Sequence, residues 1–255
     1  MSETSLQITG LSKSFGGVQA VMDVSFSLHP GELLALIGPN GAGKTTCFNM
    51  LNGQLKPDSG SVMLFSKETV GLKPADIWRL GVGRTFQITA SYSSMTVCEN
   101  VQMALLSDRQ QLMSFTRRAS RMYRPEALEL LKQVGIVEQE DRPCSTLAYG
   151  DLKRVELAVA LANNPRLLLM DEPTAGMAPK ERVELMALTA DIVKERNLSV
   201  LFTEHDMDVV FAHADRILVL NRGKLIADDT PENVRNNPEV RMVYLGTETE
   251  EIAHA

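Results

Sequence analysis

The sequence predicts an α/β fold: a mainly parallel sheet with helices, an N-terminal antiparallel β layer, and an inserted all-helical subdomain. Three observations carry this. Leu33–Ile37 and Leu167–Met170 are continuous apolar runs, and Leu198–Phe202 is apolar apart from Ser199, the pattern of strands buried on both faces. The first run leads into Gly38-Pro39-Asn40-Gly41-Ala42-Gly43-Lys44-Thr45-Thr46, which fits G-x-x-x-x-G-K-[ST], and then into a segment able to form a helix over Thr46–Asn52. Residues 95–165, between the first and second runs, read as helices throughout.

Strand, glycine-rich loop and helix in that order are the context of a phosphate-binding P-loop, so the core is expected to be a P-loop NTPase. Glycines let the backbone curl so that successive N–H groups point inward. The following helix adds free amides and the positive end of its dipole. Lys44 supplies a mobile charge for the β- and γ-phosphates, and Thr45 offers a hydroxyl to Mg²⁺. The competing reading, a turn before an ordinary helix, does not account for the buried strand in front.

At 255 residues the chain is expected to be one domain, with a core (1–90 and 166–245), a helical subdomain (91–165) and a polar tail (246–255). Its 44% apolar content is ample for a packed core, and 26 basic against 32 acidic residues argues against a general nucleic-acid binder. Cys47, Cys98 and Cys144 are odd in number and widely spaced, so they read as reduced thiols of a cytosolic protein. MSETSLQITG lacks the basic and apolar regions of a signal peptide, and no run approaches the ~18 apolar residues of a membrane span. A soluble protein is expected, with any membrane role exercised through a partner.

Taken in order, residues 6–28 form the β layer, Val24, Phe26 and Leu28 alternating with Ser25 and Ser27. Phe15, before Gly16-Gly17, either stacks on an adenine ring or belongs to the core. Ser61–Phe65 reads as a strand and Pro74–Leu80 as a short helix. Gln87 ligates Mg²⁺, holds a water, or is an ordinary loop glutamine; position alone does not decide. Thr96-Val97-Cys98-Glu99 has capping-box spacing and opens a helix through Leu106. Residues 109–124 carry Arg109, Arg117, Arg118, Arg121 and Arg124 without an acid, which suits lipid headgroups, an acidic partner or simply a solvated helix. Pro125–Val134 is a further helix with proline in its first turn.

Gly150 stands at the start of a helix over Val155–Ala162, where backbone amides are free to meet an anion; Asn163-Asn164-Pro165 ends that helix. Asp171 and Glu172 follow the second apolar run, at the strand end where open α/β sheets bind ligands. Asp171 is placed to hold Mg²⁺ through water and Glu172 to activate an attacking water. The alternative is an acid pair that merely caps the next helix. Pro179–Glu195 reads as that helix. His205 follows the third run at the same sheet edge as Lys44 and Glu172, suited to hydrogen bonding a phosphate. Arg216–Leu220 and Leu225–Ala227 form a hairpin, and residues 231–245 read as helical.

The ordered set of P-loop, Gln87, Gly150, Asp171–Glu172 and His205 resembles the ATP-binding subunits of ABC transporters over roughly residues 6–245. GPNGAGKTT, GVGRTFQ, LAYG, MDEPTAGMAP, TEHDMD and NNPEVRMVYLG are similar to the ATPases of branched-chain amino-acid importers, with urea and short-amide importers as near neighbours. The resemblance implies ATP and Mg²⁺ as ligands. It makes Phe15 the adenine-stacking aromatic and Gly38–Thr46 the triphosphate cradle. Thr45, Gln87 and Asp171 would serve the metal, Glu172 would be the general base, and His205 the γ-phosphate switch. It implies a head-to-tail dimer with a second ATPase, self or related, whose Tyr149 and Gly150 close the site in trans. Ala175-Gly176-Met177-Ala178 would be the dimer-contact loop. It also implies permease subunits docked near Gln87 and the helical insertion on the inner face of the membrane, and indirectly an extracytoplasmic binding protein. Leu147-Ala148-Tyr149-Gly150-Asp151 departs from the common LSGGQ. Ala148 lacks the serine hydroxyl, and Asp151 adds a charge where glutamine is usual. Two readings from other classes stand against this one. A soluble P-loop kinase has no need of Gly150 or His205. A non-transport ABC clamp on DNA or the ribosome usually carries two ATPase units or a long coiled coil, and this chain has neither.

Overall fold

The side-chain period of two along the apolar runs divides the molecule into two packed layers. The computed structural model describes residues 4–85, 92–109 and 122–244. Among these residues the strands are β1 (Leu6–Phe15), β2 (Val18–Leu28), β3 (Leu33–Ile37), β4 (Ser59–Leu64), β5 (Lys67–Glu68), β6 (Val82–Thr85), β7 (Leu167–Asp171), β8 (Ser199–Thr203), β9 (Arg216–Asn221) and β10 (Lys224–Asp229). The helices are α1 (Lys44–Leu51), α2 (Pro74–Arg79), α3 (Val97–Asp108), α4 (Arg124–Gln133), α5 (Tyr149–Leu161), α6 (Pro179–Arg196), α7 (Met207–His213) and α8 (Pro231–Asn236).

An antiparallel sheet has the order β2-β1-β4-β5, and a second sheet the order β10-β9-β3-β8-β7-β6. In the second, β9, β3, β8, β7 and β6 run parallel and β10 is antiparallel to β9. Successive side chains of its strands point to opposite faces. Ala35, Met170 and Phe202 therefore join one core with α3, α4, α5 and α6, whereas Leu36, Leu169 and Leu201 join another with α1 and the antiparallel sheet. All five residues of β3, β7 and β8 are buried, which is why these stretches are mostly apolar; the polar members Ser199, Thr203 and Asp171 are hydrogen-bonded.

Local chemistry sets most boundaries. Thr96 opens α3 with a full capping box: its hydroxyl accepts from Glu99 N at 3.2 Å, and Glu99 Oε2 accepts from Thr96 N at 2.9 Å. β4 ends at Leu64 because Phe65 and Ser66 both adopt positive φ, 49° and 66°, in the two-residue turn to β5. The β9–β10 hairpin turns likewise over Arg222 and Gly223, with φ of 46° and 81°.

Some expectations require correction. The helix after the P-loop begins at Lys44, two residues earlier than its apolar pattern suggests, because the loop's last glycine serves as its N-cap. Residues 231–245 are not one helix: α8 stops at Asn236, Asn237 is extended, and residues 238–244 resume helically. Pro238 disfavours helical geometry in the residue before it, and Asn237 Oδ1 accepts from Glu239 N at 2.9 Å to start the second piece. Strand β6 and helix α7 escape the sequence reading, being short and without a distinctive period. Gln87, Arg117, Arg118, Arg121 and the 246–255 tail lie outside the described residues.

Phe202 is fully buried in β8 between the strands that carry the candidate site. Phe202→Ala is expected to lower unfolding free energy by about 3–5 kcal/mol, read from denaturant midpoints. Thr96→Ala, which removes only a cap, is expected to cost about 1 kcal/mol.

Candidate functional site

Parallel pairing brings the carboxyl ends of β3, β7 and β8 to one edge, where ligands of such sheets bind. The loop after β3 passes between the end of β9 and the start of β2. A Cβ on Gly38 would lie 2.1 Å from the Leu220 carbonyl oxygen, and one on Gly43 2.4 Å from that of Ala20. Only glycine fits at either position. Helix α1 then starts with no side-chain cap and no acid in its first turn, so its amides and dipole face outward for an anion. Lys44 folds back, its Nζ donating to Gly38 O at 2.6 Å and Pro39 O at 3.1 Å. Burial lowers its pKa, and the charges of Glu172 and Asp171 oppose that shift. A cleft of about 190 Å³ is lined by Ala20, residues 40–46, Glu172 and His205.

The acid pair is held by its neighbour strand. Asp171 pairs with Thr203 across β7 and β8. The Thr203 hydroxyl donates to Asp171 Oδ1 at 2.8 Å and accepts from Glu172 N at 3.0 Å. Glu172 N also donates to Thr203 O at 3.1 Å. These bonds sustain a φ of 49° at Glu172, a conformation costing on the order of 1–3 kcal/mol for a non-glycine residue. The turn swings the Glu172 carboxylate into the cleft, where Oε1 accepts from His205 Nε2 at 2.7 Å. Glu172 and His205 thus meet across two strand ends, together with the P-loop.

Asp171 stays below the cleft. It is buried, and its Oδ2 lies 3.8 Å from Arg84 Nη2 on β6. Burial lowers the Arg84 pKa and Asp171 opposes the shift. Arg84 and Thr203 were not singled out from the sequence. A single arginine on a four-residue strand gives no pattern, and the threonine's use follows only from strand register.

Phe15 ends β1 and is 48% exposed, so it is not a core residue; it sits in the β1–β2 hairpin whose Ala20 lines the cleft, and Lys13 Nζ stands 5.7 Å from its ring centroid. Tyr149 and Gly150 open α5 and do not line this chain's cleft. Tyr149 leans on Gly176, whose hypothetical Cβ would be 3.2 Å from the ring. Ala148 caps α5 without a side-chain bond. Gln139 Nε2 donates to Asp151 Oδ2 at 2.6 Å, which engages the charge that the sequence places beside Gly150. Gln139 was also missed.

The donors near Lys44 are hard oxygens, the Thr45 hydroxyl and Asp171, and no group of three or more His, Cys, Asp or Glu able to hold a metal occurs among the described residues. Mg²⁺ fits such a set, since it is usually held by one or two protein oxygens with phosphates and water. At the other end of the chain, Tyr244 is drawn to the P-loop: the backbone of Gly38 hydrogen bonds it, and burial raises its pKa.

A P-loop, a strand-end acid pair and a histidine facing it across a mainly parallel sheet define a nucleotide hydrolase of the P-loop class. The ABC transporter family model matches residues 21–175, and the model of the branched-chain amino acid ATP-binding cassette transporter matches residues 224–250. The chain is 43% identical over 254 residues to the high-affinity branched-chain amino acid transport ATP-binding protein LivG of Escherichia coli (strain K12), covering 96% of this chain and 99% of that one. Its fold matches the ADP conformation of an ATP-binding cassette of an ABC transporter with TM-score 0.86 and 30% identity, over 96% of this chain and 100% of that one. A dimeric post-hydrolysis cassette bound to ADP and phosphate matches with TM-score 0.75 and 26% identity, over 89% and 98% of the two chains. The chain belongs to the ABC transporter family. It is the ATP-binding subunit of a transporter complex, an ATPase coupled to transport. No helix among the described residues is long and apolar enough to cross a membrane.

Lys44→Ala is expected to reduce ATP affinity by at least about tenfold, equivalent to roughly 1.4 kcal/mol, in a fluorescent-nucleotide titration. Asp206 caps α7 and accepts from Arg182 Nη1 at 2.7 Å, and this bond holds its carboxyl below the ordinary range. The stability it contributes is present above the unfolded pKa and is lost as pH falls through the depressed folded value. The stability gap between the parent and Asp206→Asn should therefore be constant at neutral pH and close below about pH 4, as measured by thermal unfolding.

Proposed function

We propose that this chain drives uptake of branched-chain amino acids, or similar small polar solutes, by hydrolysing ATP in a head-to-tail dimer with a second ATPase on the inner face of a membrane. The pairing of Glu172 with His205 at the mouth of the P-loop cleft carries this reading. The match to the branched-chain cassette model and the likeness to LivG support the substrate class. In this reading residues 1–90 and 166–245 form the nucleotide core, and the helical subdomain of 91–165 carries coupling to permease subunits. Gln87 and the permease contact it would make belong to the same proposal, as does an extracytoplasmic binding protein that selects the solute.

Phe15 stacks on the adenine from its exposed hairpin position. The amides of residues 38–46 and the Lys44 ammonium take the triphosphate, Lys44 exchanging its loop carbonyls for phosphate oxygens. The Thr45 hydroxyl and Asp171 would hold Mg²⁺, which would supply neutralising charge for the triphosphate. The amino end of the partner's α5, with Gly150 and Tyr149, closes over the γ-phosphate. This chain's own α5 lies outside its own cleft, which agrees with a site completed in trans. Glu172 accepts the proton of the attacking water, a contribution of about 10²–10⁴ in rate for a positioned base. The His205 Nε2 hydrogen, donated to Glu172 in this structure, turns to a γ-phosphate oxygen.

Turnover per subunit should rise with protein concentration, because each subunit holds half of two sites. Glu172→Gln should bind ATP like the parent, hydrolyse it about 10²-fold or more slowly, and elute as a dimer in ATP during size-exclusion chromatography. Parent-rate hydrolysis by that variant would remove Glu172 from the base position. Rates strictly proportional to protein, for a chain shown to be monomeric by light scattering, would remove the dimer.

A further inference from the structure

One buried acid beside this site has no part in the scheme above. Glu204 lies between Thr203 and His205, is 4% exposed, and does not line the cleft. Its Oε1 accepts from both Thr174 N, at 2.8 Å, and the Thr174 hydroxyl, at 2.7 Å. Its Oε2 accepts from His205 N at 3.3 Å. Thr174 is itself buried, two residues after Glu172, in the turn that leads into residues 175–178. Burying a carboxylate is unfavourable and raises its pKa; the Thr174 bonds oppose that shift and the Glu172 charge adds to it. A buried acid between two loops, bonded to Thr174 on one and to His205 N on the other, is costly unless the linkage itself is used.

We propose that Glu204 is a positioning residue that fastens the turn carrying Glu172 to the turn carrying His205, so that the two move as one unit when the dimer closes. The inference rests on the proposed roles of those two residues. Three consecutive residues at the end of β8 engage the turn after β7. Thr203 holds Asp171 and the Glu172 amide, Glu204 holds Thr174, and His205 meets the Glu172 carboxylate. Without the middle rung, the direct bond from Thr174 to the turn after β8 is lost; Arg182, which donates to Met177 O at 2.8 Å and to Asp206 Oδ2 at 2.7 Å, still bridges the two turns farther along, and the distance between Glu172 and His205 is less firmly enforced. The residues proposed to bind the phosphates from the loop after β3 and the start of α1 make none of these bonds to Glu204. Binding and turnover should therefore separate.

The test compares Glu204→Ala, Glu204→Gln, Thr174→Val and Glu172→Gln in the full chain. Each is measured for ATP affinity, for kcat and KM of ATP hydrolysis, and for the resonances of the His205 ring. Glu204→Ala is expected to lower kcat by about tenfold or more with affinity and KM within about threefold of the parent, the signature of an interaction used in turnover. Glu204→Gln keeps an acceptor at Oε1 for both Thr174 bonds, so it should recover most of the rate. Thr174→Val should lower kcat severalfold and shift the His205 ring resonances, although the two residues are not bonded to each other. A parent kcat in Thr174→Val together with an unmoved His205 spectrum overturns the proposal, and this variant decides the matter if Glu204→Ala does not fold. A loss confined to affinity or to KM overturns it equally. Glu172→Gln separates the two levels. If it hydrolyses at the parent rate, the base assignment fails; if it is inactive while the Glu204 and Thr174 variants match the parent, only the linkage fails.

Discussion

Everything at this site depends on the parallel hydrogen-bonded ladder that runs from β3 through β8 to β7. Because the strands share a direction, three chain segments far apart in sequence end at one edge, with β8 in the middle. Pairing of Asp171 with Thr203 then sets which residues of the outer turns face each other. A slip of one residue in this register would carry Glu172 away from His205 and turn the alternating side chains of β7 toward the wrong core. The two cores on either face of the sheet make such a slip costly, since Leu169 and Met170 would have to exchange environments. Packing thus protects the chemistry without touching it.

The residues of the site carry unfavourable local terms that the ladder and its hydrogen bonds offset. Glu172 adopts a φ that non-glycine residues rarely take, Lys44 is partly desolvated, and Glu204 is an acid in the interior. Each is met by specific partners: Thr203 for Glu172, the Gly38 and Pro39 carbonyls for Lys44, and Thr174 for Glu204. Lys44 donates to the Gly38 and Pro39 loop carbonyls, bonds exchangeable for phosphate oxygens. This is the expected behaviour of a cation kept near its place of use. The helix starts divide by the same logic. α7 is capped by the Asp206 side chain, whereas α1 has no side-chain cap and no acid in its first turn beside the cleft.

Much of the site is written in short, contiguous motifs, and these were legible. The P-loop combines glycines at positions of positive φ with a lysine and a hydroxyl at fixed spacing, a pattern with a single physical reading. The largely apolar stretches of β3, β7 and β8 are legible for a related reason: strands buried on both faces admit polar residues only where a hydrogen bond meets them, as at Ser199, Thr203 and Asp171. Arg84 was not legible, because its strand is four residues long and mixed in character. Glu204 stood in plain view beside His205 and still could not be assigned. A carboxylate in a loop carries no mark of whether it points to water or to a threonine thirty residues away. The break at Asn237 was legible in principle from Pro238, and the periodic reading of 231–245 passed over it.

The sequence by itself determined the class of chemistry and the elements that carry it, because phosphate binding and double-sided burial each demand particular residues at short range. Tertiary structure alone decided which side chains meet. It set Asp171 beneath the cleft against Arg84, left Phe15 exposed rather than in the core, drew Asp151 toward Gln139, and joined Thr174 to Glu204. Those pairings are products of strand order and register, which arise from the packing of the whole sheet between two cores, and no local stretch of residues encodes them.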